Sequence, residues 1–336
     1  MKWYFILLIV LVVLFIPYYI LSIITYKNLI PRGVEKPLDE CDLNDTQYKP
    51  YISNLYSDMK DMKEKKYEEV SIKSFDNLVL NANYYDNNSN KTAILIHGYK
   101  ATPLNNFSTI GKYLLDMGYN LLMIYQRTHG KSDGKYITFS KKEGLDLLEW
   151  IKYVDSNKKI DEIILYGISM GSSTLMSISD KINSKKISLL VFEAGFIKMN
   201  KMVKDSLKRK NKLLLIFYPL VKVHCIIFSH FRLSGYDLSK HLEKCDYKAL
   251  FIHGKEDRLI NYKNTIHAFD NKKDNKELLL IDGAGHNMCN LYNRDIIKNK
   301  IEELTKKEAW SLPYFCSTSF IISVSAFKSS LIGLPI

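Results

Sequence analysis

A glycine–serine–glycine pattern follows an apolar run near the middle of the chain. The run 163–166 precedes Gly167, and Ser169 stands between Gly167 and Gly171. A serine on a sharp turn between a strand and a helix exposes its hydroxyl, and the glycines let the neighbouring backbones approach. The amino terminus of the following helix favours developing negative charge. We therefore predict Ser169 as a nucleophile; the alternative is a turn serine that caps the helix.

A serine nucleophile needs a base and an acid that orients that base. Where such a serine occupies a strand–turn–helix elbow, the acid and then the histidine follow it along the chain. Asp257 lies in the loop after the apolar run 249–252, and His286 lies in the loop after the run 278–281. We predict His286 as the base and Asp257 as the acid.

Two other carboxylates compete with Asp257. Glu193 ends the apolar run 189–192, and a carboxylate at that strand could reach the histidine. Glu256 is adjacent to Asp257 in the sequence. Asp282 is close to His286 but is interpreted as a turn residue. We favour Asp257 and keep Glu193 as the alternative.

The oxyanion of an acyl-transfer reaction needs two backbone N–H donors beside the serine. One comes from the residue after the nucleophile, here Met170. The other comes from the loop after an early strand, and His97-Gly98-Tyr99 supplies that loop. Tyr99 is the predicted donor. We interpret His97, which precedes the serine in the chain, as a structural histidine that supports the loop.

Short apolar runs alternate with helical stretches from residue 93 onward. Continuous runs of this length are typical of strands buried on both faces of a parallel sheet. Two earlier runs, 70–75 and 78–84, surround the turn pair Asp76-Asn77 and predict an antiparallel hairpin. The alternation predicts a mostly parallel, doubly wound α/β sheet with sites at the carboxyl ends of its strands. Its predicted strands are 93–96, 121–125, 163–166, 189–192, 249–252 and 278–281.

Two further features concern the helices. The pattern Ser140-Lys-Lys-Glu143 predicts a capping box that opens a helix over 144–154. The interval 195–247 is much longer than one helix requires, and it carries the apolar run 213–223 beside basic residues. It predicts an inserted helical lid at about 197–247, with ordinary helix packing as the alternative.

Residues from about 67 to 306 resemble bacterial α/β hydrolases of the serine-aminopeptidase and prolyl-oligopeptidase-like superfamily. More narrowly, the chain resembles membrane-anchored hydrolases of Gram-positive bacteria. Two places depart from the family pattern. Gln126 replaces an acid and Thr128 replaces a glycine, and Glu193-Ala194 stands where relatives often carry Asp-Cys or Asp-Ala. The resemblance is carried by His97-Gly98-Tyr99, Gly167-Ile-Ser-Met-Gly171, Tyr236-Asp-Leu-Ser239, His253-Gly254 with Asp257, and Ala284-Gly-His286.

The resemblance implies the α/β-hydrolase fold and cofactor-free hydrolysis of an ester, thioester or peptide bond by Ser169, His286 and Asp257. A carboxylesterase-like activity on a small acyl or peptide substrate is the favoured interpretation. A serine aminopeptidase and a non-catalytic membrane-bound scaffold are the alternatives. Loss of a triad residue would have favoured the scaffold, and none is lost. The sequence leaves the substrate and the oligomeric state open.

The amino-terminal residues 3–26 contain no charged side chain. At about 1.5 Å per residue this run spans the roughly 30 Å hydrocarbon core of a bilayer. We predict an uncleaved single-pass anchor over residues 1–30 and a juxtamembrane linker over 31–66. A cleaved signal peptide is the alternative, although no small-residue cleavage site follows. The flanking charges leave the side of the membrane open.

The remaining chain is predicted to form a hydrolase domain over 67–307 and an apolar tail of open role over 308–336. The formal net charge is +12 and is densest at 204–212. We expect solvated helix faces and no nucleic-acid binding, because no matching recognition pattern accompanies the charge. The five scattered cysteines do not resemble a disulfide framework. We expect no metal, since zinc-type spacing is missing from the lid residues His224, Cys225, His230, His241 and Cys245.

Overall fold

We describe the protein from a computed structural model that covers residues 2–32, 47–157, 159–306 and 321–324. These residues form one sheet of mixed direction. Its strands are β1 Glu68–Lys73, β2 Val79–Tyr85, β3 Lys91–Ile96, β4 Asn120–Ile124, β5 Glu162–Ile168, β6 Ile187–Glu193, β7 Ala249–Gly254, β8 Lys276–Ile281 and β9 Ile321–Val324.

The strand order is β1-β2-β4-β3-β5-β6-β7-β8-β9. Only the pairs β1–β2 and β2–β4 are antiparallel among these strands, and the others are parallel. Each of the six predicted parallel strands overlaps an observed one, and the predicted hairpin is β1–β2. Asn77 takes the positive φ of 64° that its turn requires.

The helices lie between the strands and on both faces of the sheet. Short 3₁₀ helices cover Lys49–Tyr51 and Lys212–Phe217. The α-helices are α1 Trp3–Leu29, α2 Ile52–Glu64, α3 Pro103–Asp116, α4 Lys141–Asp155, α5 Met170–Met176, α6 Met199–Lys210, α7 Tyr218–Ser229, α8 Ser239–Leu242, α9 Lys263–Asn271, α10 Cys289–Tyr292 and α11 Arg294–Thr305.

Alternate side chains of the central strands enter two separate apolar cores. In β3, Leu95 belongs to the core that includes Phe107 of α3. Its neighbour Ile94 belongs to the core that includes Trp150 of α4. All four side chains are fully buried, which explains why the strand is apolar at every position rather than at alternate positions.

The predicted capping box is wrong in its register. Helix α4 begins at Lys141, and Ser140 makes no side-chain capping bond because its backbone turns to a φ of 84°. The Glu143 carboxylate instead accepts hydrogen bonds from the backbone N–H and the hydroxyl of Thr138, at 2.7 and 2.6 Å. The glutamate therefore ties the helix to the residue two positions before the expected cap.

The segment predicted as a linker contains packed structure in its second half. Helix α2 lies against α3, with Met59 and Met62 buried. The Thr109 hydroxyl of α3 donates to the Asp58 carboxylate at 2.7 Å. Residues 33–46 of the predicted linker lie outside the described residues. The second half of the predicted linker is thus packed onto the α/β domain through α2.

The two predicted terminal segments also contact the sheet. Tyr26, Leu29 and Ile30 are buried in the core on one face. A boundary at residue 30 therefore passes through a packed region. At the other end, β9 lies in the predicted tail and pairs in parallel with β8. The rest of the tail lies outside the described residues.

The long interval between β6 and β7 is helical, as predicted for a lid. It contains α6, the 3₁₀ helix Lys212–Phe217, α7 and α8. Helices α1 and α7 lie side by side. This insertion and the end of α1 cover the carboxyl edge of the sheet, where the predicted site residues lie.

Candidate active site

Ser169 occupies a sharp turn between β5 and α5. Its φ of 55° is a strained value for a residue with a side chain, as expected at a nucleophile elbow. The flanking glycines are required by close backbone packing: a Cβ on Gly171 would lie 1.8 Å from the Ile96 carbonyl oxygen. A Cβ on Gly167 would lie 2.5 Å from the Gly171 oxygen. The two glycines therefore allow the turn that presents the serine hydroxyl.

The structure brings Ser169, His286 and Asp257 into one hydrogen-bonded line. His286 Nε2 lies 3.0 Å from Ser169 Oγ, and His286 Nδ1 lies 2.7 Å from Asp257 Oδ2. When Nδ1–H donates to the carboxylate, Nε2 is free to accept the serine proton. The loops after β7 and β8 supply the acid and the histidine, as the sequence predicts.

Asp257 is held by more donors than His286 alone. Its Oδ1 accepts the backbone N–H groups of Leu259 and Ile260 at 2.7 and 2.8 Å. Its Oδ2 also lies 3.0 Å from Nε2 of the buried His253. Burial on its own would raise the pKa of Asp257, but the hydrogen bonds from His253 and His286 outweigh it and lower the pKa. Asp257 is therefore ionised at neutral pH.

The competing carboxylates have other partners. Glu193 is fully buried, and its Oε2 accepts from the Tyr166 hydroxyl at 2.6 Å and from the Asn290 amide at 3.1 Å. Burial raises the pKa of Glu193. Glu256 is exposed, and Asp282 pairs with Lys255 at 2.7 Å. Glu193 and Asp282 are thus held by partners other than His286.

The predicted oxyanion donors lie on either side of the serine. The loop before Tyr99 is fixed by Asn106, whose Oδ1 accepts the Gly98 N–H at 2.7 Å. A Cβ on Gly98 would lie 3.3 Å from Ser169 Cβ, so this loop runs directly beside the nucleophile. Tyr99 and Met170 thus stay predictions as oxyanion donors.

His97 and Gln126, which departs from the family pattern, support this loop. His97 lies beneath it with Nδ1 2.7 Å from the Gly98 oxygen, and its Nε2 accepts the Gln126 N–H at 3.1 Å. The Gln126 side chain in turn donates to the His97 carbonyl at 2.5 Å. Thr128 has a φ of 70°, a conformation that glycine adopts more easily. The Gln126 departure thus falls on the support of this loop.

Three comparisons relate this geometry to known proteins. A family model described as "Serine aminopeptidase, S33" matches residues 87–230, which include the elbow and most of the lid. The uncharacterized protein YqkD of Bacillus subtilis is 24% identical over 218 residues, which is 63% of this chain and 70% of that protein. These matches are at the level of sequence, and solved structures provide the comparison of folds.

Several solved esterases share the fold. One crystal form of the Pyrococcus furiosus esterase Pf2001 superposes with a TM-score of 0.62 at 24% identity, over 82% of this chain and 96% of that chain. Another form gives 0.60 at 28% identity, over 73% and 93%. The Exiguobacterium antarcticum esterase EaEST gives 0.54 at 20% identity, over 71% and 100%. This chain therefore has the α/β-hydrolase fold.

The hydrolase has an apolar pocket that opens from Ser169 beneath the lid. Its volume is about 360 Å³, within the range of small-molecule sites. Leu29 of α1 forms part of its wall, and the charged groups at its rim are Arg209 and Lys210. The other lining residues are Tyr99, Phe139, Met170, Phe196, Met202, Val203, Ser206, Leu259 and Ile260.

The end of α1 is tied to the hydrolase by polar contacts. The Ser22 hydroxyl lies 2.8 Å from Nε2 of His224 in the lid, and the Tyr26 and Ser229 hydroxyls are 2.5 Å apart. The Tyr99 hydroxyl donates to the Leu29 carbonyl at 2.7 Å. Helix α1 therefore ends in the wall of the pocket rather than in a free tether.

The lid histidines and cysteines do not converge on a common point. His224 contacts Ser22, and His241 Nδ1 lies 2.8 Å from the Asp180 carboxylate. Cys225 and Cys245 are buried with free thiols. Across the described ranges, no group of three or more His, Cys, Asp or Glu side chains is placed to hold a metal ion.

Several supporting residues of the site were not predicted from the sequence. Tyr48, in the segment predicted as a linker, donates its hydroxyl to the His286 carbonyl at 2.7 Å. Asn106 fixes the Gly98 loop, and His253 reaches Asp257 while its Nδ1 lies 2.6 Å from the Thr265 hydroxyl. For His253, the motif His253-Gly254 was a signal in the sequence. Tyr48 and Asn106 carry no local signal.

Proposed function

We propose that this α/β hydrolase is a membrane-anchored, carboxylesterase-like serine hydrolase whose triad is Ser169, His286 and Asp257. The observation that carries the proposal is the hydrogen-bonded line from the Ser169 hydroxyl through both nitrogens of His286 to the buried Asp257 carboxylate. This line ends at the apolar pocket, so the nucleophile faces the space that a substrate would fill.

Each group has a defined step in the proposed reaction. Ser169 Oγ attacks the acyl carbonyl carbon while its proton passes to His286 Nε2. The N–H groups of Tyr99 and Met170 stabilise the oxyanion. His286 returns the proton to the leaving alcohol oxygen, which leaves an acyl-enzyme. Water then attacks the acyl carbon, again with His286 as base, and the carboxylic acid leaves as Ser169 regains its proton.

The pocket favours an ester over the amino terminus of a peptide. An aminopeptidase must bind a free ammonium group, for which a carboxylate is the natural partner. The lining residues of the described pocket include no carboxylate, and the charged groups at its rim are the cations Arg209 and Lys210. An ammonium group there would be repelled, whereas an uncharged acyl chain fits the apolar wall.

The proposed anchor is α1, which is long and apolar enough to cross a membrane. A signal peptide would have the same composition. Two observations favour a helix that stays attached: the paired hydroxyls of Tyr26 and Ser229, and the place of Leu29 in the pocket wall. Cleavage after α1 would remove Tyr26 and Leu29, so Ser229 would lose its partner and the pocket would lose part of its wall.

A fluorophosphonate probe tests the nucleophile. We expect it to label the full-length hydrolase in detergent and to fail on Ser169→Ala. Ser172→Ala is the matched control, because this buried serine is three residues away and its hydroxyl has no recorded partner in the described chain. Labelling that survives Ser169→Ala, or folded wild-type protein that does not label, would contradict the proposed mechanism and favour the scaffold.

The class of substrate needs a separate assay. A series of p-nitrophenyl acyl esters should be hydrolysed by the wild type. Aminoacyl amides should be cleaved at least about 100-fold more slowly, because their ammonium group would find no carboxylate partner in the pocket. Preferential cleavage of the aminoacyl amides would instead identify a serine aminopeptidase.

A further inference from the structure

The outer face of the lid is apolar and exposed. Leu213 is 74% exposed and Ile227 is 57% exposed, and both lie on the segment Lys212–Ser229. Other large apolar side chains share this exposure. They are Ile216, Val223, Ile226 and Phe228. Soluble proteins seldom leave an apolar surface of this kind in water, so a partner is expected to cover it.

Helix α1 shows where this surface lies. The Tyr18 hydroxyl donates to the Ile216 carbonyl at 2.9 Å, and the rings of Tyr18 and Phe217 are 5.5 Å apart. The rings of Tyr26 and Phe228 are 5.8 Å apart. The lid therefore lies alongside α1 from Tyr18 to its end, and residues 3–17 extend beyond it, exposed along their whole length.

The part of α1 that extends beyond the lid is too short to cross a bilayer by itself. At about 1.5 Å per residue, residues 3–17 reach about 22 Å, whereas the hydrocarbon core is about 30 Å thick. The missing ~8 Å has to come from the part of α1 that carries the lid. Interfacial helices bury their apolar faces by about 5–10 Å, so the lid would enter the membrane to that usual depth.

Lysines flank the apolar face of the lid. The ammonium groups of Lys204 and Lys222 lie 5.0 and 5.6 Å from the centre of the Tyr218 ring. Lys208 and Lys212 are exposed at the adjoining end of α6 and the start of the 3₁₀ helix. Cations beside an apolar face match the anionic head groups above the hydrocarbon of a bilayer.

We propose that the lid surface Lys212–Ser229 is inserted into the head-group boundary of an anionic bilayer beside α1. This inference rests on α1 being the anchor of the proposed function. It places the pocket rim, with Leu29, Arg209 and Lys210, at the level of the lipid head groups. Acyl esters that reside in that leaflet then enter the pocket without crossing water.

Fluorescence quenching by lipid-bound nitroxides tests the position of the lid. The full chain carries a bimane label at Ile227→Cys, in vesicles of phosphatidylglycerol and phosphatidylcholine with the nitroxide near the head group. The matched control is Lys273→Cys, an exposed position before β8 at the amino end of the parallel strands. Unsubstituted protein treated in the same way corrects for the native cysteines. We expect quenching several times stronger at 227 than at 273.

A third label separates the two proposals. Leu8→Cys lies in the exposed half of α1 and should be quenched by a nitroxide deep in the acyl chains. If position 8 is quenched and position 227 behaves like 273, α1 is an anchor and the lid proposal is overturned. If position 8 is not quenched either, the anchor itself is disproved and the lid proposal falls with it.

A comparison of anionic and zwitterionic vesicles tests whether the lid needs an anionic bilayer. In phosphatidylcholine alone we expect quenching at position 227 to fall at least twofold relative to the mixed vesicles. The combined variant Lys204→Gln, Lys208→Gln, Lys212→Gln and Lys222→Gln should show the lower value in both lipids. Equal quenching of the wild-type lid in both lipids would overturn the assignment of an anionic partner.

Discussion

The carboxyl edge of the sheet and the layer formed by α1 and α7 hold their residues in different ways. At the sheet edge, the Asp257 side chain is fully buried and accepts from two histidines and two backbone N–H groups. In the layer of α1 and α7 the polar contacts are few, including the pairs Ser22–His224 and Tyr26–Ser229, and much of the apolar surface is exposed.

The two regions meet different physical requirements. Acyl transfer needs atoms fixed to within a fraction of an ångström, and dense hydrogen bonding at strand ends provides that precision. A surface that enters lipid needs apolar area and few polar groups, because the bilayer interior satisfies no hydrogen bonds. Substitutions at the sheet edge should therefore change turnover, while those between α1 and α7 should change stability or membrane contact.

The largest expected effect is at Asp257. Asp257→Asn should lower turnover on an activated ester by about ten-thousand-fold, because the amide can favour the wrong tautomer of His286. Glu193→Gln should change it much less, since Glu193 is engaged by Tyr166 and Asn290. Steady-state kinetics of both variants measure this. Loss of activity in Glu193→Gln with activity retained in Asp257→Asn would assign the acid to the earlier strand.

A smaller loss is expected at His253, a positioning residue that acts through Asp257. His253→Phe removes a hydrogen bond to a charged group, and such bonds contribute about 1.5–3 kcal/mol, so turnover should fall about 10- to 100-fold. His253→Gln keeps an N–H donor and should recover most of the loss. The acid limb of the pH–rate profile is the second measurement. An unchanged profile in the slow variant would indicate a structural role only.

The support of the oxyanion loop should make the sheet edge sensitive to acid. Burial lowers the pKa of His129 to about 4 and also lowers the pKa of His97 well below its usual value. The unfolded chain binds these protons near pH 6.5, so stability is lost as the pH falls from about 6.5 toward 4. For His129 alone, the loss between pH 7 and pH 5 is about 2 kcal/mol.

Thermal unfolding of the protein in detergent at pH 7 and pH 5 measures this loss. His129→Gln keeps an acceptor for the Lys100 N–H, which His129 Nε2 accepts at 3.0 Å in the wild type. The variant should lose about 2 kcal/mol less than the wild type over this interval. An equal loss in both proteins would mean that other groups carry the acid sensitivity.

The smallest expected effect lies between α1 and α7. Tyr26→Phe and Ser229→Ala each remove one partner of the hydroxyl pair, and a double-mutant cycle should give a coupling free energy of about 1 kcal/mol. Ester turnover should stay near the wild-type value, because neither hydroxyl belongs to the triad. A large loss of turnover in Tyr26→Phe would show that the layer of α1 and α7 also fixes the geometry of the sheet edge.

The sequence predicts the sheet well because each buried strand is marked by a local run of apolar residues. A buried strand needs apolar residues at every position, and the six runs carry that pattern. The fixed order of serine, acid and histidine then predicts which strand ends should meet, and Ser169, Asp257 and His286 do lie together. Their catalytic roles stay predictions until turnover is measured.

The parts that the sequence does not predict depend on contacts between distant segments. Tyr48 reaches His286 across 238 positions, and Ser22 reaches His224 across 202. The capping register failed for a similar reason: with a positive φ at Ser140, the Glu143 carboxylate accepts from Thr138 instead of from Ser140. Glu193 looked like a competing acid because nothing local shows that Tyr166 and Asn290 occupy it.

The place of Leu29 in the pocket wall has a consequence for substrate choice. An enzyme on a flexible tether samples many heights above a membrane, and its local substrate concentration depends on the reach of that tether. Helix α1 passes directly into the wall of the pocket, so, with α1 as the proposed anchor, the distance between the bilayer surface and Ser169 would be constant. Two esters of equal reactivity would then be distinguished by how deep their carbonyl groups lie among the lipids.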